Sequence, residues 1–531
     1  MLRIINMRVP LTDNTDIKKL AAKRLKLPPQ AALEVVIVRK ALDARRKNNI
    51  TFVYSLDVQT SLPEGQVLSR LKGDKDVSIA DQQQPEAIIP GIIQLEHRPV
   101  VVGLGPAGML AALTLAQHGY RPLVLERGRT VEERTRDVAK FWQTGEFDEH
   151  SNVQFGEGGA GTFSDGKLTT RINDPLMRQV LDILVEAGAP PEITYIHKPH
   201  IGTDKLRGVV KQIREQIIAL GGQVEFETQV TDVEIKDGKL KGLIVNGNRL
   251  IPCSIALFAI GHSARDTYAM LHERDVAMEA KAFAIGVRIE HPQALINHSQ
   301  YGVSAGHANL PAADYGLVYH DKATRRTAYS FCMCPGGLVV AAASEPGGVV
   351  TNGMSLYNRA SGISNSALVV NVTPEDFGNH VLAGIEFQRT YERLAFTCGG
   401  SNYQAPLQTV GDFLAGATGS RTFQTKPSYR PGVVAADLRQ CLPDFVADTL
   451  ALALPEFDRK IKGFAHPEAI MTGVETRTSA PLRIIRNSDY MSISTQGFYP
   501  IGEGAGYAGG IMSAALDGLN SAIAVIKQYK A

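Results

Sequence analysis

Between residues 99 and 128 the chain reads PVVVGLGPAGMLAALTLAQHGYRPLVLERG, and its apolar spacing changes twice. A short unbroken apolar run gives way, at a glycine turn, to apolar residues at helical spacing from about Ala107 to Gln117. A second apolar run then closes on Glu126. This pattern predicts strand, helix and strand in succession. Upstream, LRIINMRV, LEVVIVRKAL and ITFVYSLDV read as strands, and NTDIKKLAAKRLKL and EGQVLSRLK as helices. Together they predict a small α+β module over residues 1–85, ended by the linker DQQQPEAIIPG. Downstream, LRGVVKQIREQIIALGG predicts a helix stopped by glycines, followed by short strands in VEFETQV, TDVEIKDGKLKGLIV and LIPCSIALFAIG. From about Ala282 to Ser479 the pattern turns to apolar strands with glycine and proline turns, such as FAIGVRIEH and NSALVVNVTP. FYPIGEGAGYAGGIMSAALDGLNSAIAVI then restores a strand, a glycine turn and a long helix. The expected fold class is α/β: a Rossmann-type domain in two parts, 98–281 and 481–531, split by a mostly β insert over 282–480.

At 531 residues the chain is longer than one core usually serves, which agrees with several domains. A formal net charge of +2 gives no global argument for nucleic acid or an anionic membrane surface. The local exception is residues 18–47, where KKLAAKRLK and RKALDARRK gather basic side chains, a pattern that a solvated face also produces. MLRIINMRVPLTDN lacks the apolar core of a secretory signal, and no stretch of 18 uninterrupted apolar residues occurs. Five cysteines, at 253, 332, 334, 398 and 441, are too scattered for a disulfide framework. A cytoplasmic protein without membrane contact is expected.

The glycine turn carries the first chemistry. Gly103 allows a tight reversal, Gly105 lets bare backbone approach a pyrophosphate, and Gly108 lets helix and strand pack closely. The helix that Pro106 and Ala107 open aims unpaired N–H groups and its positive dipole end at the anion. Glu126, eighteen positions after Gly108, suits the hydroxyls of an adenosine ribose, with Arg127 beside it. A second glycine-rich stretch, NVQFGEGGAGTFSDGKL, suits an anion-binding loop along the cofactor: Gly158, Gly159 and Gly161 free the backbone, and Thr162, Ser164 and Lys167 offer donors to phosphate or flavin oxygens. Near the C-terminus, Gly509 and Gly510 open a helix at Ile511 whose dipole would stabilise an anionic reduced flavin. Two such motifs at opposite ends of the chain suit FAD better than NAD.

The combination of GLGPAG, GEGGAGTFSDGKL, AIGHSARDT, CMCPGG, GVETRTSAP and GEGAGYAGGI closely resembles the bacterial and plastid family described as uncharacterised FAD-dependent dehydrogenases. It is more distantly similar to flavoproteins with an inserted substrate domain, such as fumarate-reductase-like and aminoacetone-oxidase-like proteins. The resemblance spans roughly residues 1–531 and implies a glutathione-reductase-type FAD fold. It further implies that the backbone of Val230 meets the adenine edge and that Gly261 lies beneath the diphosphate. It makes the Gly502-Glu503 turn the counterpart of the usual Gly-Asp, with Glu503 accepting a ribityl hydroxyl despite its extra methylene.

The reacting groups are argued from residues. In Cys332-Met333-Cys334 two thiols share a face if the segment stays extended; such a pair is a redox couple, half a metal site, or simply small buried residues. No second pair completes a zinc site, so no metal is expected. Cys334 stands as a candidate catalytic thiol, Arg477 as a clamp for a substrate carboxylate or a structural ion pair, and His262 as an acid, a base or a turn-holding residue. The expected function is an FAD-dependent oxidoreductase passing hydride between a small-molecule substrate and flavin N5. One Rossmann fingerprint leaves NAD(P)H, if used, as a transient visitor to the substrate cleft. Two other readings stay open: an RNA-associated flavoprotein using the basic N-terminal module, and a non-enzymatic FAD-bearing redox scaffold or sensor.

Overall fold

A computed structural model describes residues 1–71, 73–81 and 87–531. Part of the linker read at 81–91, with the boundary placed at residue 85, lies outside the described residues. At the N-terminus, Leu2–Pro10 lies between Thr51–Thr60 and Val77–Ile79 in a four-stranded antiparallel sheet whose far edge is Ala32–Asp43. Every second residue faces one way, so Leu2, Ile4, Leu56 and Val58 meet Ala21, Leu25 and Val67 from the helices Ile17–Arg24 and Glu64–Arg70. The Asp16 carboxylate caps the first helix by accepting from the Lys18 and Lys19 amides. The outer edge of Ala32–Asp43 is covered by the chain near residue 196: the Lys40 amide donates to the Tyr195 carbonyl at 2.7 Å, and the His197 amide to the Lys40 carbonyl at 2.9 Å. That covering ties the module to the rest of the chain and hides an edge that would otherwise recruit another strand.

The second unit is built on a five-stranded, all-parallel sheet in the order Phe498–Pro500, Ala256–Phe258, Val100–Val102, Leu123–Leu125, Gln223–Glu225. Its central strands are unbroken apolar runs because both faces are covered. Val101, Val124, Leu257 and Tyr499 face the helices Pro106–Gln117, Thr203–Ala219 and Ile511–Gln528. Val100, Val102, Leu125 and Phe258 face a three-stranded meander over 230–252 and the helix Arg265–Glu273. The two helices that begin at Pro106 and Ile511 touch backbone to backbone. A Cβ on Gly518 would stand 2.0 Å from the Ala107 carbonyl oxygen.

The segment between these parts carries a seven-stranded sheet, ordered Val318–His320, Thr327–Cys334, Ile363–Val372, Phe283–Pro292, Ile470–Glu475, Ala405–Thr409, Val433–Ala435. The expectation of a mostly β insert is corrected here. Helices Gln293–Tyr301, Ala383–Cys398 and Asp444–Lys460 are 9, 16 and 17 residues long and accompany the sheet. The last of these buries Val446, Leu450, Ala453 and Phe457 at helical spacing despite Pro455. No helix among the described residues is long and apolar enough to cross a membrane.

Candidate cofactor and substrate cavity

The glycine turn, the loop at 152–168, the end of the Ala256–Phe258 strand and the Gly502 turn converge on one cavity of about 490 Å³. Gly105 precedes the Pro106 helix and Gly510 precedes the Ile511 helix. Neither helix start has a side-chain cap, and both open on the cavity, so two dipoles point their positive ends into it.

The glycines divide by what a side chain would meet. Gly103 has φ +95°, and a Cβ there would lie 2.4 Å from the Ala259 carbonyl oxygen; on Gly108 it would lie 1.9 Å from that of Gly103. Those two serve the protein's own packing. A Cβ on Gly105 would find only the Gly159 Cα at 3.8 Å, and at Gly261, Gly509 and Gly510 nothing within 4 Å, although all four line the cavity. At Gly261 a φ of +72° itself favours glycine; at none of the four does crowding require the bareness. It leaves a cradle of backbone beside uncapped helix starts, which is the fit a dinucleotide diphosphate requires.

Glu126, buried at the end of its strand, accepts from the amides of Leu104 at 2.8 Å, Gly128 at 2.9 Å and Gly156 at 3.0 Å. Three donors fix the carboxylate, which still borders the cavity with accepting capacity to spare. Arg127 lies over the Phe155 ring, 3.9 Å from its centre, and donates to Asp266 at 3.0 Å. Val230, Pro106, Ala107, Gly159, Gly161, Lys167, Gly502 and Ile511 also border the cavity. Among the described residues Lys167 has a loose ion partner, Asp165 at 3.8 Å.

Glu503 borders the other end. Burial, with the nearby Cys332 thiol adding to it, pushes its carboxyl up to about 7 against the pull of Lys281. The Gly502 amide donates to Asp517 at 2.6 Å, and Asp517 is itself paired with Arg486, so this turn is held from behind. Sequence reasoning missed that bracket.

Several expected roles are corrected. Thr162 does not reach the cavity: it is fully buried, and a Cβ on Gly158 would lie 2.1 Å from its hydroxyl, so both sit behind the loop. Ser164 spends its proton on the Gly161 carbonyl at 2.7 Å and accepts from the Gly166 amide at 3.1 Å, turning its own loop instead of donating to a ligand. Arg477 borders the cavity but is no open clamp. Its Nε and Nη2 hold Glu392 at 3.1 and 2.9 Å, while Nη1 donates to Ser263 at 2.8 Å and to Ser344. Arg265 grips the same Glu392 from the other side at 2.7 and 2.9 Å. Burial, helped by Arg477, pushes His262 down to about 3, so at neutral pH it is uncharged and carries no imidazolium proton to donate. Its Nδ1 lies 3.1 Å from the Ser263 hydroxyl.

Cys334 is corrected as well. The Thr327–Cys334 strand slips register between Phe331 and Cys334, and Cys332 takes φ +46°. The segment is therefore not extended: Cys332 borders the cavity, and Cys334 is fully buried behind it. Around Cys332 stand Asn352 and Glu475; Glu475 pairs with the fully buried Arg288 at 2.9 and 3.3 Å, and the Asn352 carbonyl takes Arg288 Nη2 at 2.9 Å.

A protein of Clostridium beijerinckii is 52% identical over 530 residues, covering 99% of both chains. The chain belongs to the family of that protein. Residues 282–478 match the family model described as FAD-dependent protein, C-terminal domain-like, and residues 1–59 match a domain of unknown function. The matched segment is that of FAD-dependent proteins, and FAD is the cofactor that the bare cradle fits. Among solved structures, a flavin-dependent brominase, Bmp2, is 12% identical with a TM-score of 0.35, over 81% of this chain and 80% of its own. FqzB is 13% identical with a TM-score of 0.33, over 82% and 76%. Overlap at that level places the chain in neither fold.

Proposed function

We propose that this flavoenzyme passes hydride between a small-molecule substrate and its FAD, with the substrate bound at the end of the cavity bordered by the inserted segment. One observation carries the reading: the cavity runs without a break from the bare glycines of the Pro106 helix to Cys332, Asn352 and Glu475. FAD supplies a two-electron centre at its isoalloxazine ring. The chain's part is to bind and orient. Gly105 and the Pro106 helix start would hold the diphosphate, Glu126 the adenosine ribose, Val230 the adenine edge and Glu503 a ribityl hydroxyl. The Ile511 helix start and Lys167 place positive charge where negative charge gathers on reduction. At the substrate end Arg288 and Arg477 are each bound by a carboxylate, so orientation falls to neutral donors: the Asn352 amide and neutral His262. Residues 1–85, 98–281 with 481–531, and 282–480 would be the corresponding domains.

The basic stretch over 18–47 favours no second reading. Arg24 pairs with Asp74, Arg45 with Asp43, Arg39 meets His197, and Lys40 lies 4.5 Å over the Phe52 ring. The test is anaerobic reduction of the holoprotein by NADH, NADPH and a metabolite panel, followed by flavin absorbance. Bleaching by a saturable reductant is the expected result. A flavin that dithionite bleaches and none of these compounds touches would overturn the proposal.

A further inference from the structure

The register slip at residues 331–334 builds a feature that hydride transfer does not use. A bulge inserts one extra residue against the Ile363–Val372 strand and puts Cys332 in the left-handed region, which non-glycine residues seldom occupy. The bulge is pinned: Arg288 Nη1 donates to the Cys332 carbonyl at 2.9 Å and to Asn365 Oδ1 at 3.2 Å, and the Cys334 thiol contacts the same Cys332 carbonyl at 3.3 Å. The inner thiol is thereby held against the backbone of the outer residue, with Cys332 at the cavity wall and Cys334 sealed behind it. A Cβ on Gly353 would stand 2.9 Å from the Cys334 sulfur, so this strand keeps a glycine where the inner thiol sits. The neighbouring Cys334 thiol, then the charges of Arg288 and Lys167, hold the Cys332 thiol well below the ordinary range against the effect of burial, while Cys334 is pushed up. An outer thiolate and an inner protonated thiol are the two parts that thiol–disulfide exchange needs.

We propose that Cys332 and Cys334 form a thiol–disulfide exchange site opening on the cofactor cavity, with Cys332 as the attacking sulfur, Cys334 as the resolving one and a small-molecule disulfide as the substrate class. The Cys332 thiolate attacks one sulfur of R–S–S–R. A Cys332–S–R bond forms, the R–S bond breaks, and the leaving thiolate takes a proton from solvent. Cys334 then gives up its proton and attacks Cys332. The Cys332–Cys334 bond forms and the second R–S⁻ leaves, collecting the proton that Cys334 lost. In sum the protein dithiol is oxidised by two electrons and the disulfide is reduced to two thiols.

The holoprotein, with Cys398 replaced by serine, is treated with oxidised glutathione and with an aromatic disulfide that releases a coloured thiolate. The Thr327–Arg359 tryptic peptide, which holds both cysteines, is then weighed. The proposal expects two thiolate equivalents per chain and a peptide lighter by two hydrogens. Cys334→Ser should stop at one equivalent with the adduct on Cys332, and Cys332→Ser should slow the reaction at least about tenfold. The rate at Cys332 should stay flat from pH 8 to pH 6, where an ordinary thiol loses about tenfold per unit. The proposal is overturned by an adduct that persists on Cys332 in the chain retaining both cysteines, by an unmodified peptide, or by an ordinary pH slope. The exchange passes its two electrons to the added disulfide, so the flavin stays oxidised whether or not the hydride reading holds, and the two proposals fall separately.

Discussion

The two ends of the cavity are built on opposite principles. At the cofactor end the wall is backbone: bare glycines, two uncapped helix starts, and a carboxylate held by three amides. At the substrate end the wall is charged side chains that spend themselves on one another, Arg288 on Glu475, and Arg477 with Arg265 on Glu392. Backbone donors cannot be neutralised by a neighbour's rotamer, so the first end keeps its capacity to bind an anion in any protonation state. Interlocked pairs give up binding capacity in exchange for fixed geometry, which leaves the Cys332 thiol and the Asn352 N–H groups facing the cavity.

The largest blow to this contrast is removal of Glu392. It leaves Arg265 and Arg477 buried without their shared partner, and Glu392→Ala is expected to cost about 3–5 kcal/mol of stability, read as a drop in the denaturation midpoint. Survival of the fold at near-parental stability would show that those arginines can find water or a ligand, and the substrate end would be an open anion site after all. Next comes Glu126→Gln, which sets amide hydrogens against the Leu104, Gly128 and Gly156 N–H groups. A loss of about 1–3 kcal/mol in FAD affinity is expected, measured by flavin titration of the apoprotein. Glu503→Gln has the smallest effect on FAD affinity, and its effect on stability depends on pH. The folded carboxyl titrates at about 7, above its unfolded value, so the parent apoprotein binds extra protons when folded and loses stability as pH rises toward 7. The glutamine variant should therefore match the parent below about pH 4 and exceed it by about 2–3 kcal/mol at pH 8, with FAD affinity nearly unchanged because a neutral amide still accepts a hydroxyl proton. Equal melting curves at both pH values would remove the burial argument for Glu503.

Local signals made the cofactor end legible. The Gly103–Gly108 turn, the apolar strands around it and Glu126 lie within one short stretch whose spacing follows from strand and helix geometry. The substrate end depends on partners far apart in the chain: Arg288 and Glu475 are 187 residues apart, and Arg477 and Glu392 are 85. No periodicity announces such pairs, and Arg477 read alone is as suited to a ligand as to a glutamate. Ser164 was misplaced because a hydroxyl in a glycine-rich loop serves its own backbone first, and Thr162 because the loop folds its side chain inward, away from the cavity. An extended strand would set Cys332 and Cys334 on one face; a bulge, invisible in sequence, separates them and leaves Cys332, not Cys334, at the cavity. The 17-residue helix from Asp444 was hidden by Pro455, which the fold accommodates near its end.

The measurement that bears most directly on the whole account is flavin binding by Gly105→Ala and Gly105→Val. With the nearest protein atom 3.8 Å from a Cβ there, alanine fits the empty cradle, and circular dichroism should match the parent. FAD affinity should fall at least about tenfold for alanine and a hundredfold for valine, because the added carbons stand where the diphosphate must approach the backbone. Parental affinity in both variants would contradict the account, since the dinucleotide would then lie elsewhere.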